Sequence, residues 1–256
     1  MQASSAVSDA SLPSLELRKG LSFFDPYLQY FVRQTLRVGG EARVAKDPDG
    51  SVTGLFIYDG MEKIGTIFTL SRSDFDHFYG LRPFNILFAE LETEHECEPF
   101  DIYTTKLPDY VLDHRFRHEV TSAQQHNMSE IERFMVSANP GINKNWVRVA
   151  FEDREMCFLV RLAGEIAGAG WVSVTNSVGR LHSLFVRPQY RGLGIGEDIL
   201  FARLFWLRSR GVLSAFSEIS SGNVASTRVA VKGGMAASGR IFQYYGREQN
   251  SKFRPK

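Results

Sequence analysis

The stretch VRPQYRGLGIG, residues 186–196, decides how this sequence is read. An apolar run at 181–186 predicts a strand before it, and residues 197–210 predict a buried helix after it. The glycines lack a Cβ, so the backbone can take positive φ and its N–H groups can converge at the positive end of the helix dipole. Together with Arg187 and Arg191, this turn predicts a site for a phosphate or a pyrophosphate.

The spacing of the glycines separates this turn from two other phosphate-binding turns. A P-loop has Lys followed by Ser or Thr after its glycines, and this stretch has neither. A dinucleotide turn has the spacing G-x-G-x-x-G, whereas here G-x-G-x-G follows Arg191. The longer pattern, which includes Val186, Pro188 and Tyr190, resembles the acetyl-CoA loop of the GCN5-related N-acetyltransferases, the GNAT family.

The sequence after this turn keeps the order of elements of the same family. Residues 215–220 predict a strand, Asn223 opens a helix that ends near Lys232, and residues 241–245 predict the last strand. The helix is similar to the family's Asn-x-x-Ala and Lys-x-Gly-Phe element. The resemblance therefore covers about residues 114–246.

The resemblance implies a mixed α/β fold of the α+β class, in which a mostly antiparallel sheet is flanked by helices and splayed where the cofactor inserts. It also implies that acetyl-CoA is the co-substrate. Its pyrophosphate would lie on the loop, its pantetheine arm would lie along the preceding strand, and an N–H near Leu184 would stabilise the oxyanion. The residues implied for cofactor binding are Leu184, Phe185, Val186, Arg191, Gly192, Leu193, Gly194, Ile195, Gly196, Asn223 and Ser226.

The general acid that the family often uses is missing. A Tyr often precedes the Lys of the last element by two residues, and that position is Ala230. Tyr244 of the last strand is the candidate acid, with the adjacent Tyr245 as an alternative, although two tyrosines there also fit core and edge packing.

The sequence offers two candidates for the general base. The family often has a carboxylate near the end of the cofactor strand, where this sequence has His182 and Ser183. A neutral His near pH 7 is a suitable base, so His182 is the first candidate and Glu218 on the neighbouring strand is the second. Both side chains also fit purely structural roles. Cys157 is disfavoured as a nucleophile because no base is paired with it in the sequence.

The first half of the chain carries no glycine loop and predicts a smaller α/β domain. A helix is predicted at 21–37, followed by an antiparallel meander with turns at 47–50 and 59–60. The second half resembles this order at a constant offset of 103. The prediction is a degenerate partial GNAT copy in tandem, or else an unrelated cap. The matched pairs are Phe31/Phe134, Ile57/Val160, Glu62/Glu165, Gly65/Gly168 and Phe68/Trp171.

Further elements are predicted between the two halves. Residues 114–121 predict a strand, residues 128–136 a helix, and residues 147–151, 156–162 and 166–175 three more strands. Between 84 and 100, Glu occupies every second position from Glu90 to Glu98, so a strand there would carry five carboxylates on one face. Such a face is either a solvated edge or a site for a cationic amine.

Composition narrows the function classes. The 256 residues carry 30 basic and 29 acidic side chains, so charge predicts neither a nucleic-acid partner nor a membrane partner. No segment reaches the ~18 apolar residues of a membrane helix, and the N-terminus lacks the regions of a signal peptide, which favours a cytoplasmic location. Cys97 and Cys157 match no disulfide or metal spacing, so no metal is predicted. The predicted domains are a disordered tail at 1–20, an α/β domain at 21–107 and the GNAT domain at 108–256.

The resemblance implies an acetyl-CoA-dependent N-acetyltransferase that transfers an acetyl group to a primary amine by direct attack in a ternary complex. The acceptor would be a small molecule or a peptide, and the family also suggests a homodimer. Two alternatives stay open. One is a non-catalytic acyl-CoA-binding module or sensor, which the missing Tyr favours. The other is an O-acyl or longer-chain acyltransferase on the same fold.

Overall fold

A computed structural model describes residues 26–37, 39–46, 52–60, 63–69, 71–108, 113–138, 145–175 and 177–246. The predicted tail at 1–20 and the predicted turn at 47–50 lie outside these residues. The chain divides into two compact units. The first takes the described residues up to Asp101 and those from Gly239 onward, and the second is Ile102–Ser238. This division differs from the predicted boundary at 107/108, because it places most of the last strand in the first unit.

The described elements include six α-helices and eleven strands. The helices are α1 (Pro26–Arg37), α2 (Arg72–Tyr79), α3 (Met128–Ala138), α4 (Trp146–Glu152), α5 (Ile195–Ser209) and α6 (Val224–Lys232). The strands are β1 (Glu41–Lys46), β2 (Val52–Asp59), β3 (Ile64–Thr69), β4 (Ile86–Ala89), β5 (Cys97–Lys106), β6 (Val120–Ser122), β7 (Met156–Leu162), β8 (Glu165–Thr175), β9 (Val178–Val186), β10 (Ser214–Ser220) and β11 (Ala236–Tyr245). None of these described helices is both long and apolar enough to cross a bilayer.

The first unit is an antiparallel meander completed by a helical crossover. β1, β2 and β3 pair antiparallel, as the sequence predicts. The helix α2 then crosses over and returns the chain as β4, parallel to β3. The segment Phe242–Tyr245 of β11 pairs antiparallel with β4. Aromatic side chains fill its core, with Phe56, Phe75 and Tyr244 among the most deeply buried.

The second unit has the same kind of crossover with more strands before it. β6, β7, β8 and β9 pair antiparallel, and α5 leads to β10, which runs parallel to β9. Apolar residues of α5, among them Ile199 and Leu204, pack on one face of the sheet. The helices α3 and α4 pack on the other face around Trp171. The mixed α/β architecture with a mostly antiparallel sheet is the predicted fold class.

The sheet of the second unit opens beside β9. The parallel pairing of β9 with β10 covers three residue pairs and ends at Arg180 and Phe216. β9 also carries a bulge opposite β8, where two steps of β8 face three of β9, and the extra residue, Ser183, has a φ of +50°. The last residues of β9 therefore lie beyond the three residue pairs that join it to β10, which is the predicted splay.

A buried arginine holds the bulge. Arg203 of α5 is fully buried, and its Nη1 donates to the carbonyl oxygens of Trp171 (3.0 Å) and His182 (3.3 Å), one on each strand. Burial lowers the pKa of Arg203 to about 9, because desolvation disfavours the charged guanidinium. Through Arg203, α5 therefore fixes the conformation of β9 at the bulge.

Two predicted strands are wrong. Residues 147–151 lie in α4, where Val147 and Ala150 are buried and Val149 is exposed, a helical pattern that a short run of β-branched residues conceals. The predicted strand at 114–121 is strand only from Val120 on.

The row of glutamates is not a strand face. Residues 90–96 form an irregular connection between β4 and β5, and of the five Glu only Glu98 lies in a strand. Glu94 forms an ion pair with Arg72, and Glu98 accepts a hydrogen bond from the Tyr245 hydroxyl. The predicted row of five carboxylates, and the amine site built on it, therefore has no basis in the structure.

The register of the predicted repeat is also wrong. An offset of 103 places β2 on β7 and β3 on β8. The crossovers give another correspondence, because β3–α2–β4 and β9–α5–β10 are parallel connections, and each leaves the last strand of an antiparallel meander. By topology β3 corresponds to β9. The tandem repeat itself stays a prediction.

Candidate functional site

A cavity of about 650 Å³ opens in the second unit, where the turn at residues 191–196 (the glycine loop), the end of β9 and the start of α6 meet. Leu193 is the one predicted cofactor residue that does not line it, and its side chain is 48% exposed. The predicted residues that do line it are Leu184, Phe185, Val186, Arg191, Gly192, Gly194, Ile195, Gly196, Asn223 and Ser226.

The glycine loop takes the backbone conformation that only glycine adopts readily. The φ angle is +82° at Gly192 and +88° at Gly194. Gly194 is the N-cap of α5, and no side chain caps the start of that helix. No side-chain oxygen therefore competes with a ligand for the N–H groups of the first turn, which favours an anion there.

Cationic side chains surround the loop. Arg117, Arg191, Arg228 and Lys232 all line the cavity, and Glu197 is the only acidic residue among the described lining residues. Glu197 pairs with two of the cations: its Oε2 lies 3.6 Å from Nη2 of Arg117, and its Oε1 contacts Nζ of Lys232. The excess of positive charge raises the local concentration of anionic ligands.

The start of α6 forms one wall of the cavity. Asn223 is the N-cap of this helix, and its Oδ1 accepts a hydrogen bond from the N–H of Ser226 at 3.1 Å. The side chain predicted to bond the cofactor therefore also fixes the helix start at the cavity.

His182 lies next to the bulge and contacts polar and aromatic side chains. Its Nε2 lies 3.3 Å from Oε2 of Glu155 and 3.4 Å from Oγ of Ser173, and the ring of Trp146 packs edge-on against the imidazole. The His182 side chain is 10% exposed. A carboxylate beside an imidazole can hold its tautomer and stabilise the imidazolium, as a base requires.

The other candidate catalytic residues have structural partners. Glu218 is engaged by Arg180, whose Nε lies 3.0 Å from Oε1. Tyr244 lies in the core of the first unit, where its hydroxyl donates to the carbonyl oxygen of Leu91 at 2.6 Å, and burial raises its pKa to about 12. Neither side chain lines the cavity, and the side chain of His182 does not line it either.

Cys157 is fully buried, and burial raises the pKa of its thiol. A thiol with a raised pKa is a poor nucleophile at neutral pH, in line with the sequence prediction. Among the described residues, no group of His, Cys, Asp or Glu has the arrangement of a metal site.

Sequence reasoning missed Arg117, Arg228, Lys232 and Glu155 as residues of this region. The two cations on α6 are four residues apart, so a shared face of the helix could be predicted for them. Arg117 and Glu155 come from segments far from the glycine loop in sequence, and no local pattern links them to it.

Comparisons with known proteins agree with this geometry. Residues 127–235 match the family model of the acetyltransferase (GNAT) family. The fold is similar to a GCN5-related N-acetyltransferase from Sphaerobacter thermophilus, at 13% identity over 92% of this chain and 86% of that one, with a TM-score of 0.58. A GNAT acetyltransferase from Colwellia psychrerythraea has the same identity and TM-score, over 92% and 98% of the two chains.

A tandem GNAT protein from the clavulanic acid biosynthesis pathway is also similar, at 13% identity over 84% of this chain and 86% of that one, with a TM-score of 0.55. At these identities the likeness shows the fold. No curated protein sequence matches the chain. The resemblance to the GNAT family that the glycine loop predicts is thus confirmed, and it supports acyl-CoA-dependent acetyl transfer in general.

Proposed function

We propose that the second unit transfers an acetyl group from acetyl-CoA to a primary amine in a ternary complex. The observation that carries the proposal is the uncapped start of α5 at Gly194, which opens into a cavity bordered by the end of β9. An uncapped helix start beside a strand edge fits a ligand with a pyrophosphate at one end and an amide-bearing arm at the other.

The glycine loop would hold the pyrophosphate. Its N–H groups, the dipole of α5 and the surrounding cations attract the same charge, and glycine at 192 and 194 permits the positive φ of the loop. The N–H and C=O groups of Leu184 and Val186 lie beyond the residues that pair β9 with β10, so the pantetheine amides would pair with them like an added strand.

His182 would act as the general base, with Glu155 as its orienting carboxylate. Acetyl-CoA supplies the activated thioester when it is bound. The amine nitrogen forms a C–N bond to the acetyl carbon, the C–S bond breaks, and the proton that the amine loses goes to Nδ1 of His182, directly or through a water, because Nε2 faces Glu155. The charge that builds up on His182 is stabilised by the carboxylate 3.3 Å away.

A strong general acid is not required for the leaving group. A thiol has a pKa of about 8.5, so the thiolate leaves with little assistance at neutral pH. This removes the objection raised by Ala230, which is buried at the position where the family often has Tyr. Tyr244 has no part in the proposal.

Turnover with a panel of amines tests the proposal. The purified protein is mixed with acetyl-CoA and either polyamines, amino sugars or peptide N-termini, and released CoA is measured. We expect turnover with at least one class, and in His182→Gln a fall in kcat of about 10²–10⁴-fold. The Kd for acetyl-CoA measured by calorimetry should not change in that variant, because its side chain does not line the cavity.

Each other outcome selects an alternative. Binding of acetyl-CoA without release of CoA to any amine would favour the non-catalytic module. Turnover only with hydroxyl acceptors would favour the O-acyltransferase. Unchanged kcat in His182→Gln would remove His182 as the base.

A further inference from the structure

Arg117 contacts the glycine loop although it belongs to none of the sequence motifs described above. It lies on the segment between β5 and β6, yet its guanidinium lies against Gly194. A Cβ placed on that glycine would be 2.1 Å from Nη1 of Arg117. Arg117 also lines the cavity, and its Nη2 lies 3.6 Å from the carboxylate of Glu197. The absence of a side chain at Gly194 therefore makes room for two things, a ligand and this arginine.

The residues on either side of Arg117 are fixed to the first turn of α5. Nε2 of His114 and Nδ1 of His118 each lie 2.7 Å from an oxygen of Asp198, and the N–H groups of Arg117 and His118 donate to the same carboxylate. Asp198 is 0% exposed. We call this arrangement the His–Asp clasp. The ring of His114 also stacks on Phe201 of α5, with centroids 3.9 Å apart.

The clasp explains why residues 114–119, which are predicted as strand, form a loop. On a strand, side chains four residues apart share one face but lie about 13 Å apart, whereas here both imidazoles meet one carboxylate. The backbone between them is bound at Arg117 and His118, so the Cα of Arg117 is held beside the loop while its side chain stays 55% exposed.

We propose that Arg117 binds a phosphate group of the CoA co-substrate, and that the His–Asp clasp is the device that presents it. This inference rests on the proposed function. Glu197 shares its single negative charge between Arg117 and Lys232, so one positive charge is left in excess. A phosphate provides more acceptor oxygens than the carboxylate 3.6 Å away, and a guanidinium binds it through two parallel N–H groups.

The chemistry is shared by two groups of the same ligand, the pyrophosphate and the 3′-phosphate. The position of Arg117 at Gly194 favours a phosphate near the start of α5, and Arg228 and Lys232 lie on the wall formed by α6. Comparing CoA with 3′-dephospho-CoA distinguishes the two sources.

The test is calorimetric titration of CoA and of 3′-dephospho-CoA into the full chain and into Arg117→Gln. A matched control is Arg115→Gln, because Arg115 is exposed, lies two residues earlier and does not line the cavity. We expect Arg117→Gln to weaken CoA binding about 10- to 100-fold, the value of a charged hydrogen bond, and Arg115→Gln to change it less than about 2-fold.

The second ligand assigns the phosphate. If Arg117→Gln weakens the binding of 3′-dephospho-CoA as much as that of CoA, Arg117 contacts the pyrophosphate. If the variant weakens the binding of CoA alone, Arg117 contacts the 3′-phosphate. Equal or tighter binding of CoA by Arg117→Gln, with wild-type binding intact, overturns the inference and leaves the proposed function standing. A wild-type protein that binds no CoA overturns both. Thermal unfolding of each variant confirms that it is folded.

Discussion

The two helical crossovers of this molecule have the same topology and different beginnings. In the first unit β3 leads through α2 to the parallel strand β4, and in the second β9 leads through α5 to β10. α2 has 8 residues and starts under a side-chain cap, in which Oγ of Ser71 accepts the N–H of Asp74 at 3.4 Å. α5 has 15 residues and starts at Gly194 with no such cap.

The difference shows that the crossover alone does not make a ligand site. A helix whose first turn is satisfied by its own N-cap has used the groups that would bind an anion. A helix with a glycine at that position keeps them available, and its loop can approach a ligand closely. The two units thus share a parallel crossover, and of the two crossover helices only α5 starts without a side-chain cap.

The largest expected effect separates the two glycines of the loop. Both have positive φ, so an added methyl strains both, but a Cβ at Gly192 meets nothing within 4 Å, whereas a Cβ at Gly194 meets Arg117. We expect Gly194→Ala to weaken acetyl-CoA binding by about 100-fold and Gly192→Ala by several-fold only, since the strain alone costs about 1–2 kcal/mol. Calorimetry on both variants makes the comparison, and equal losses would assign the whole effect to backbone strain.

The second effect concerns the buried carboxylate of the clasp. Burial raises the pKa of Asp198, but the hydrogen bonds from His118, His114 and the backbone outweigh it and hold the pKa below its ordinary value of 3.8. A lowered folded-state pKa contributes stability above pH 3.8 and loses it as the pH falls through the folded pKa. We expect Asp198→Asn to reduce the free energy of unfolding by about 2–3 kcal/mol at pH 7.

Urea unfolding at pH 7 and near pH 3 checks the sign. The difference in free energy of unfolding between the wild type and Asp198→Asn should be smaller at the lower pH. Asp113→Asn is the control, because Asp113 is exposed and lies one residue before the clasp. A gap that is constant with pH would mean that the charge of Asp198 contributes nothing.

A smaller effect tests the strand that precedes each crossover. β3 pairs with β2 in an unbroken register, whereas β9 bulges at Ser183, where φ is +50°. We expect Ser183→Val to cost about 1–2 kcal/mol, because a β-branched residue is strained at positive φ, and Ser183→Gly to cost nothing or to stabilise. Thermal unfolding measures both, and the opposite order would show that the Ser side chain matters more than the backbone.

The smallest effect lies in the first unit. Ser71→Ala removes the cap of α2 and should cost about 1 kcal/mol of stability. Acetyl-CoA binding should be unchanged, because the glycine loop belongs to the other unit. A change in acetyl-CoA affinity would break the comparison, since it would couple the capped crossover to the ligand site.

Local patterns explain which parts of this molecule could be predicted. The glycine loop, β9 and α5 are adjacent in sequence, and the loop's conformation follows from its own glycines, so the residues lining the cavity there were predictable. The clasp could not be predicted, because His114 and Asp198 are 84 positions apart and their contact depends on the packing of α5. The pair of His182 and Glu155 depends in the same way on β7 and β9 being placed by β8.

Tyr244 and residues 147–151 show two further features that the sequence alone does not predict. The last strand was assigned to the second half by continuity, yet Tyr244 packs in the core of the first unit, which sequence order does not reveal. The run at 147–151 has β-branched residues that favour a strand locally, but burial of Val147 and Ala150 on one side of α4 decides for a helix.

The discontinuous first unit has a consequence for synthesis on the ribosome. Ile86–Ala89 pairs with Phe242–Tyr245, so the early strand waits for a partner that is translated about 150 residues later. At about 5–20 residues per second, that wait lasts roughly 8–30 s, during which an apolar strand edge is exposed. The second unit is one continuous segment and can fold while the chain is still being made. Nascent chains arrested before residue 239 should therefore bind holdase chaperones through the first unit.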